Sequence, residues 1–316
     1  MPITITTWNV QNFRRSDPVF NDKLNFLAGI LQALGCDIVA LQEILDPDAL
    51  QDLANRLGFD AFEAAPDGRG NRVAFLARNA LVQSHNQIDQ WQLAQDIVVR
   101  DFASNGAIVV IPQFPRPALQ ITVAYNGREI DIVTAHLKSK LLTFGEMFDT
   151  PDETLRANTA YCALQRRAAE ATSLREHANN LLAAGRAVVV LGDLNDVPKA
   201  ATTEILYGPP GSQPQGPEDA TNIFGAFQRP NNNDDQRLFN VTNLVPENIR
   251  WSRRHNGKNE LLDHILASEA LMPRVNGLRQ VPIMSILNED VPNMIGAHPT
   301  VSGVIPDHAP VTAVFA

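Results

Sequence analysis

Six apolar segments along this chain each run into a lone acid, amide or imidazole at the point where an ordinary strand would give way to a turn. Ile5-Thr6-Thr7-Trp8 delivers Asn9, Ile38 to Leu41 delivers Glu43, and Ile132 to Ala135 delivers His136. Val188 to Leu191 delivers Asp193 and Asn195, Leu261-Leu262 precedes Asp263-His264, and Ile305-Pro306 precedes Asp307-His308. Runs rich in β-branched residues suit a pleated, buried surface, so these segments read as strands or strand approaches. Functional groups at strand ends can converge on one rim of packed sheets, where the scaffold holds them rigidly. Any one member alone is commonplace, because Asp, Asn and His often close turns. The ordered set is what limits the fold.

The intervening segments alternate helix and strand patterns. From Lys23 to Leu34, apolar residues at 24, 27, 30, 31 and 34 keep helical spacing, and Gly35 supplies a C-terminal stop. Asp46-Pro47 has the form of an N-cap with proline at the first helical position, opening a helix that ends near Gly58. Strands are expected at 72–77, 107–111, 119–125 and 130–137, the last two joined by an Asn126-Gly127 hairpin turn. A long helix is expected over 154–182, followed by a strand at 187–191 and further strands at 261–267 and 310–315. Residues 208–236, with Pro209-Pro210-Gly211 and Asn231 to Asp235, read as a loop excursion, because strand signals resume beyond them. The expectation is layered α/β structure in a single domain spanning 1–316.

Composition narrows the partners. With 44% hydrophobic and 19% charged residues the chain can bury a sizeable core. Its net charge of −9 disfavours the counterion-release binding that long nucleic acids require, so a polyanionic substrate would need a bound cation and local basic residues. No apolar run is long enough to cross a bilayer, and Met1 to Thr7 lacks a basic region followed by an apolar one. The expected protein is cytoplasmic and monomeric, with Cys36 and Cys162 as packing residues, not a disulfide.

Seen with their neighbours, the segments become Thr7-Trp8-Asn9-Val10-Gln11-Asn12, Leu41-Gln42-Glu43, Ala135-His136-Leu137-Lys138-Ser139, Gly192-Asp193-Leu194-Asn195-Asp196, Leu262-Asp263-His264-Ile265-Leu266 and Pro306-Asp307-His308-Ala309-Pro310-Val311. In this order, over residues 3 to 315, they resemble the successive signatures of the endonuclease/exonuclease/phosphatase superfamily. This is the group of pancreatic deoxyribonuclease, apurinic endonucleases, inositol-polyphosphate 5-phosphatases and neutral sphingomyelinases. The resemblance implies a four-layer α/β/β/α sandwich of two mainly antiparallel sheets with outer helices, its site at one rim between the sheets. It also implies roles. Glu43 would be the principal metal-binding carboxylate, with Asn9 and Asp307 in the metal shell. His136 and His308 would contact the scissile phosphate, Asp263 would hold the imidazole of His308, and Asp193 with Asn195 would position and activate the attacking water. Mg²⁺ is the expected ion, Mn²⁺ the alternative. Lys138, and Arg167 in the helix after the histidine motif, are expected substrate contacts.

Elementary chemistry agrees with this distribution. Mg²⁺ takes hard oxygen ligands, usually one or two carboxylates completed by water and substrate oxygens, and its charge offsets the negative charge that grows in the transition state. A histidine beside a carboxylate keeps a defined tautomer and stays protonated near neutral pH. The expected function is therefore metal-dependent phosphodiester hydrolysis by a nuclease acting on DNA or RNA. The alternative is a phosphatase or phospholipase C-type enzyme acting on a phosphorylated lipid or small molecule, and a non-catalytic binding module stands third. Glu260, three before Asp263 where apurinic endonucleases carry an aromatic residue, weighs against abasic-site specificity.

Overall fold

The computed structural model describes residues 2–94, 97–102, 107–144, 149–207, 236–275, 278–296 and 303–316. Two six-stranded sheets form its centre. In chain order their strands are β1 (Ile3–Phe13), β2 (Ile38–Ile44), β3 (Phe59–Glu63), β4 (Arg72–Arg78), β5 (Val82–Ile88), β6 (Ala118–Tyr125), β7 (Arg128–His136), β8 (Ala187–Asp193), β9 (Leu238–Asn240), β10 (Asp263–Ser268), β11 (Ile283–Ile286) and β12 (Val311–Phe315). The first sheet runs β11-β12-β1-β2-β4-β3 and the second β9-β10-β8-β7-β6-β5. Each is antiparallel except at one pair, β1 with β2 and β7 with β8. Parallel neighbours need a crossover. Helix α1 (Phe20–Leu34) makes the first and α3 (Glu153–Ala183) the second.

Successive residues of the inner strands face opposite layers. In β4, Val73, Phe75 and Ala77 pack between the sheets, while Ala74 and Leu76 pack against α1 and α2 (Pro47–Leu57). In β8, Ala187, Val189 and Leu191 enter the inter-sheet layer, while Val188 and Val190 join Leu174, Ala178 and Leu182 of α3. Burial on both faces is why these strands read as continuous apolar runs. The result is the expected α/β/β/α sandwich.

The local stops fall where the chemistry put them. Asp46 accepts the Asp48 N–H at 2.9 Å and caps α2, and Gly35 and Gly58 end α1 and α2 in the left-handed conformation. Asn126 and Gly127 both take positive φ in the turn between β6 and β7, as a two-residue hairpin requires. Strands β3 and β5 carry no apolar run. Both are sheet edges with mostly exposed or half-buried residues, so nothing demands a hydrophobic signal there. The strand expected at 107–111 is a two-stranded hairpin of Arg100–Phe102 with Ile108–Val110. Of the proposed excursion at 208–236, residues 208–235 lie outside the described residues. Among the described residues no helix is long and apolar enough to cross a membrane, and Cys36 and Cys162 are free and buried.

Candidate active site

The alternation that fills the inter-sheet layer continues past its apolar residues. Ile3 and Ile5 of β1 lead two by two to Thr7 and Asn9; Ile130 and Ile132 of β7 lead to Thr134 and His136; Val189 and Leu191 of β8 lead to Asp193; Ala267 and Ile265 of β10 lead to Asp263. Each strand thus delivers its polar residue to the same rim. Register then fixes neighbours, with Asp193 directly opposite His136 on one side and Asp263 on the other. Beneath them Gln42 Nε2 donates to the hydroxyls of Thr7 and Thr134, at 3.1 Å each, tying the two sheets together under the site.

Glu43 follows Gln42 and by strict alternation would face away. Its φ of 63° and the register break between Leu41 and Ile44 turn it back to the rim, the usual effect of a bulge. Gln11, Asn12 and Asn195 also have positive φ, so four of the seven such non-glycine positions among the described residues surround this site. That conformation costs on the order of 1–2 kcal/mol per residue and persists only where neighbours enforce it. The neighbours are present. Asn9 Nδ2 donates to Glu43 Oε1 at 3.1 Å and to Asp193 Oδ2 at 2.9 Å, and the Asn12 N–H donates to Glu43 Oε2 at 3.0 Å. The buried Lys23 amine donates to the Gln11 carbonyl at 2.7 Å and secures that turn. Burial pulls this amine down to about 8 against the opposing charges of Asp17, Glu43 and Asp307. Gly192, at φ +138°, is indispensable for a steric reason: a Cβ there would lie 2.0 Å from the Ala135 carbonyl oxygen of β7.

Around Asp193 the groups form an acid–base array. The Asn195 N–H donates to Asp193 Oδ1 at 2.9 Å, while His136 Nε2 lies 3.5 Å and His308 Nε2 3.9 Å from Asp193 Oδ2. His308 Nδ1 is 2.7 Å from Asp263 Oδ2, and the His308 carbonyl accepts from the Trp8 indole at 2.8 Å. Burial alone would lower the His308 imidazolium, but the charges of Asp263 and Asp193 and the bond to Asp263 outweigh it and raise it to about 10. Burial pushes the Asp193 carboxyl up to about 7, helped by Asp263 and opposed by His308 and the Asn9 and Asn195 donors. Asn195 donates through Nδ2 to the Leu137 carbonyl at 2.9 Å, which leaves its amide oxygen to accept from a water.

Two donor sets deserve comparison as metal sites. Asp193, Asp263 and His308 offer ligand atoms within 4.8 Å of one another. Two of those three are already spent on each other, however, through the 2.7 Å His308–Asp263 bond. Glu43 is half-buried at the cleft wall, oriented through both carboxylate oxygens, and the fully buried Asp307 carboxylate adds a second hard donor. Lys23 feels the charge of both carboxylates. With the Asn9 amide, this set fits a hard divalent cation that keeps water and substrate oxygens in its shell. Arg253 Nε, 3.6 Å from Asp307 Oδ2, holds that carboxylate from the other side.

The site opens into a cleft of about 640 Å³. Glu43, His136, Asp193, Asn195 and His308 line it where the strands end; beyond them its wall carries Arg69, Arg116, Lys138 and Arg166. Lys138 lines the cleft. Arg167 does not: its guanidinium is buried, bound to Asp196 at 3.2 Å and to the Lys138 carbonyl at 2.9 Å. Its neighbour Arg166 faces the cleft instead, because one step along a helix turns a side chain by about 100°. Asp196, which also binds Lys140 and Thr202, anchors this turn. Arg69, Arg116 and Arg166 were not singled out in the sequence, since the first two sit in loops with no motif around them and the third is one step from the arginine that the resemblance pointed to.

A family model described as the endonuclease/exonuclease/phosphatase family matches residues 6–285. Among solved structures the chain is similar to truncated TDP2 of Caenorhabditis elegans, at 13% identity and a TM-score of 0.57, covering 100% of this chain and 97% of that one. It is also similar to the human Nocturnin catalytic domain with bound sulfate, at 16% and 0.56, covering 100% and 94%. A third likeness is to an endonuclease/exonuclease/phosphatase from Bacteroides vulgatus, at 14% and 0.55, covering 100% and 99%. At such identities the likeness concerns the fold. No curated protein matches by sequence.

Proposed function

The chain belongs to the endonuclease/exonuclease/phosphatase family, whose members are hydrolases of phosphate ester bonds, and from that premise we propose that it is a divalent-metal-dependent phosphodiesterase of nuclease type. The observation that carries this reading is the convergence of Asn9, Glu43, His136, Asp193, Asn195 and His308 on one rim, linked by contacts of 2.9 to 3.9 Å, at the wall of a cleft rich in cations. A bound divalent ion at Glu43, Asn9 and Asp307 would supply charge to polarise the phosphoryl oxygens.

The protein's own groups divide the remaining work. Asn195 and Asp193 hold the attacking water, and Asp193, raised into the neutral range by burial, takes its proton as the new P–O bond forms. His308, kept cationic by Asp263, and His136 donate to the phosphoryl oxygens as charge accumulates on them. The bond to the leaving oxygen breaks, and that oxygen is protonated from solvent in the open cleft. This route needs no covalent intermediate, and neither of the two buried cysteines lines the cleft.

The substrate is proposed to be a nucleic acid strand, on the strength of the six cations Arg14, Arg69, Arg116, Lys138, Arg166 and Arg253 that line the cleft of a chain whose net charge is −9. The TDP2 of D. rerio to which the chain is also similar, at 16% identity, was solved with a single-strand DNA product. One observation favours a phospholipid instead: the hairpin bordering the cleft through Asp101 and Phe102 exposes Ile108, Val109 and Val110. Hydrolysis of plasmid DNA, single-stranded DNA, RNA, bis-p-nitrophenyl phosphate and sphingomyelin with Mg²⁺, Mn²⁺ or EDTA decides between them. Metal-dependent strand cleavage absent in Glu43→Ala protein is the expected result. Turnover confined to sphingomyelin would replace the nuclease reading, and turnover undiminished in EDTA would remove the metal.

A further inference from the structure

The cationic part of the cleft holds more positive charge than the chemistry next to it uses. Two of its arginines are neutralised locally: Arg116 binds Asp67 through Nε at 3.0 Å and Nη2 at 2.8 Å, and Arg166 binds Asp101 at 3.0 Å and Glu170 at 2.8 Å. Lys138 and Arg69 differ. Among the described residues neither is within ion-pair distance of a carboxylate. The Lys138 ammonium donates to the carbonyls of Ser139, at 3.3 Å, and Leu141, at 3.2 Å; Arg69 Nη2 donates to the Thr143 hydroxyl at 3.3 Å. Among the described residues, two neutral acceptors leave one of the three ammonium protons of Lys138 for a ligand, and one acceptor leaves most of the Arg69 fork unused.

These two groups also feel each other. Burial holds the Lys138 amine down to about 8; the positive charge of Arg166 and, more weakly, of Arg69 adds to that effect, and the charges of Asp101 and Glu170 oppose it. Two cations in one cleft, whose neighbouring described carboxylates Asp67, Asp101 and Glu170 bond to Arg116 and Arg166 instead, offer a place for an anion. Its place matters as well. Lys138 is two residues beyond His136, so the chain separates their Cα atoms by at most roughly 7 Å, on the order of the separation of neighbouring phosphates along an extended strand. Phe102 and Leu142 add apolar surface to the same cleft.

We propose that Lys138 and Arg69 form a second phosphate subsite, which selects substrates carrying another phosphate one nucleotide away from the scissile one. The inference rests on the phosphodiesterase reading and narrows it to short single strands or nucleotides bearing two phosphates. A phospholipid headgroup with a single phosphate leaves the subsite empty. An anion arriving there replaces the repulsion between the two cations with charge-assisted hydrogen bonds, the stronger class of such bonds.

The test is binding, measured by calorimetry in Mg²⁺ on the whole chain, of deoxythymidine 5′-monophosphate against deoxythymidine 3′,5′-bisphosphate. The bisphosphate is expected to bind at least tenfold more tightly, and Arg69→Met and Lys138→Met are each expected to bring that ratio towards one. Arg69 is exposed, so its variant keeps the test open should Lys138→Met, at a half-buried position, fail to fold. Equal affinities in the unmodified protein, or a ratio that survives Arg69→Met, would overturn the subsite. Hydrolysis of bis-p-nitrophenyl phosphate, which has one phosphate, is followed in parallel. Its absence would count against the reaction itself, whatever the binding ratio.

Discussion

The two ends of the cleft are built by different means. At the catalytic end, Asn9, His136, Asp193 and Asp263 are inner-face residues of hydrogen-bonded strands, so their spacing is set by sheet register and each is at most a few per cent exposed. At the cationic end, Arg69, Arg116, Lys138 and Arg166 come from the loop before β4, the segment before β6, the chain leaving β7 and one face of α3. Register gives sub-ångström constancy, which transition-state stabilisation needs. Long side chains on loops give reach and adaptability, which suits recognition of an anion. The difference implies that chemistry and substrate choice are separable in this molecule.

That separation can be broken by experiment. The largest effect is expected at the strand ends: Asp193→Ala or His308→Ala should lower kcat on a single-phosphate diester by about 10³-fold, with KM little changed and the far-ultraviolet spectrum preserved. Arg116 joins both ends, through Asp67 and through the His136 carbonyl at 3.2 Å. Arg116→Met should raise KM about tenfold, roughly 1.4 kcal/mol; an equal fall in kcat instead would show that the two ends act as one unit.

Proton linkage gives a third prediction. Asp193 must be ionised to accept a proton, and its carboxyl is raised to about 7, so kcat/KM should climb with pH along a limb no higher than about 7, a bound cation shifting it only downwards. His308 must stay protonated, so the alkaline limb should lie at or below about 10. Asp263→Asn removes the principal charge that raises the imidazole and should move that limb towards the ordinary histidine value of about 6.5. Because the folded value exceeds the unfolded one, the stability contributed by protonated His308 is full below about 6.5 and is lost as pH rises through about 10. The smallest effect is expected from salt. Between about 50 and 200 mM, hydrolysis of a short substrate meeting only the two cations of the proposed subsite should weaken by no more than about tenfold, against the 10³-fold or greater loss of a protein making six or more phosphate contacts.

What the sequence disclosed follows the same division. A strand ending in a functional residue leaves two signals, the apolar alternation and the abrupt polar stop, so Asn9, His136, Asp193 and Asp263 were legible. Glu43 was legible from the polar stop alone, because alternation points it the wrong way and a bulge restores it. Arg167 was assigned to substrate because its helix follows the histidine motif. One helical step separates it from Arg166, and helix α3, rich in alanine and charged residues, has no sharp apolar stripe to say which arginine faces in. Arg69 and Arg116 sit in Asp-Gly-Arg-Gly and Pro-Arg-Pro contexts that read as turns. Their role arises only when the loops meet across the cleft, a long-range fact with no local signature.

The central claim is that the divalent ion sits with Glu43 and not within the Asp193, Asp263 and His308 cluster. Binding of Mn²⁺ measured by electron paramagnetic resonance tests it directly, in the unmodified protein and in the Glu43→Ala and Asp263→Asn variants. The account predicts that Glu43→Ala abolishes the bound-ion signal at concentrations that saturate the unmodified protein, while Asp263→Asn retains it. Loss of binding in Asp263→Asn, with binding kept in Glu43→Ala, would contradict it and move the metal to the imidazole side of the rim.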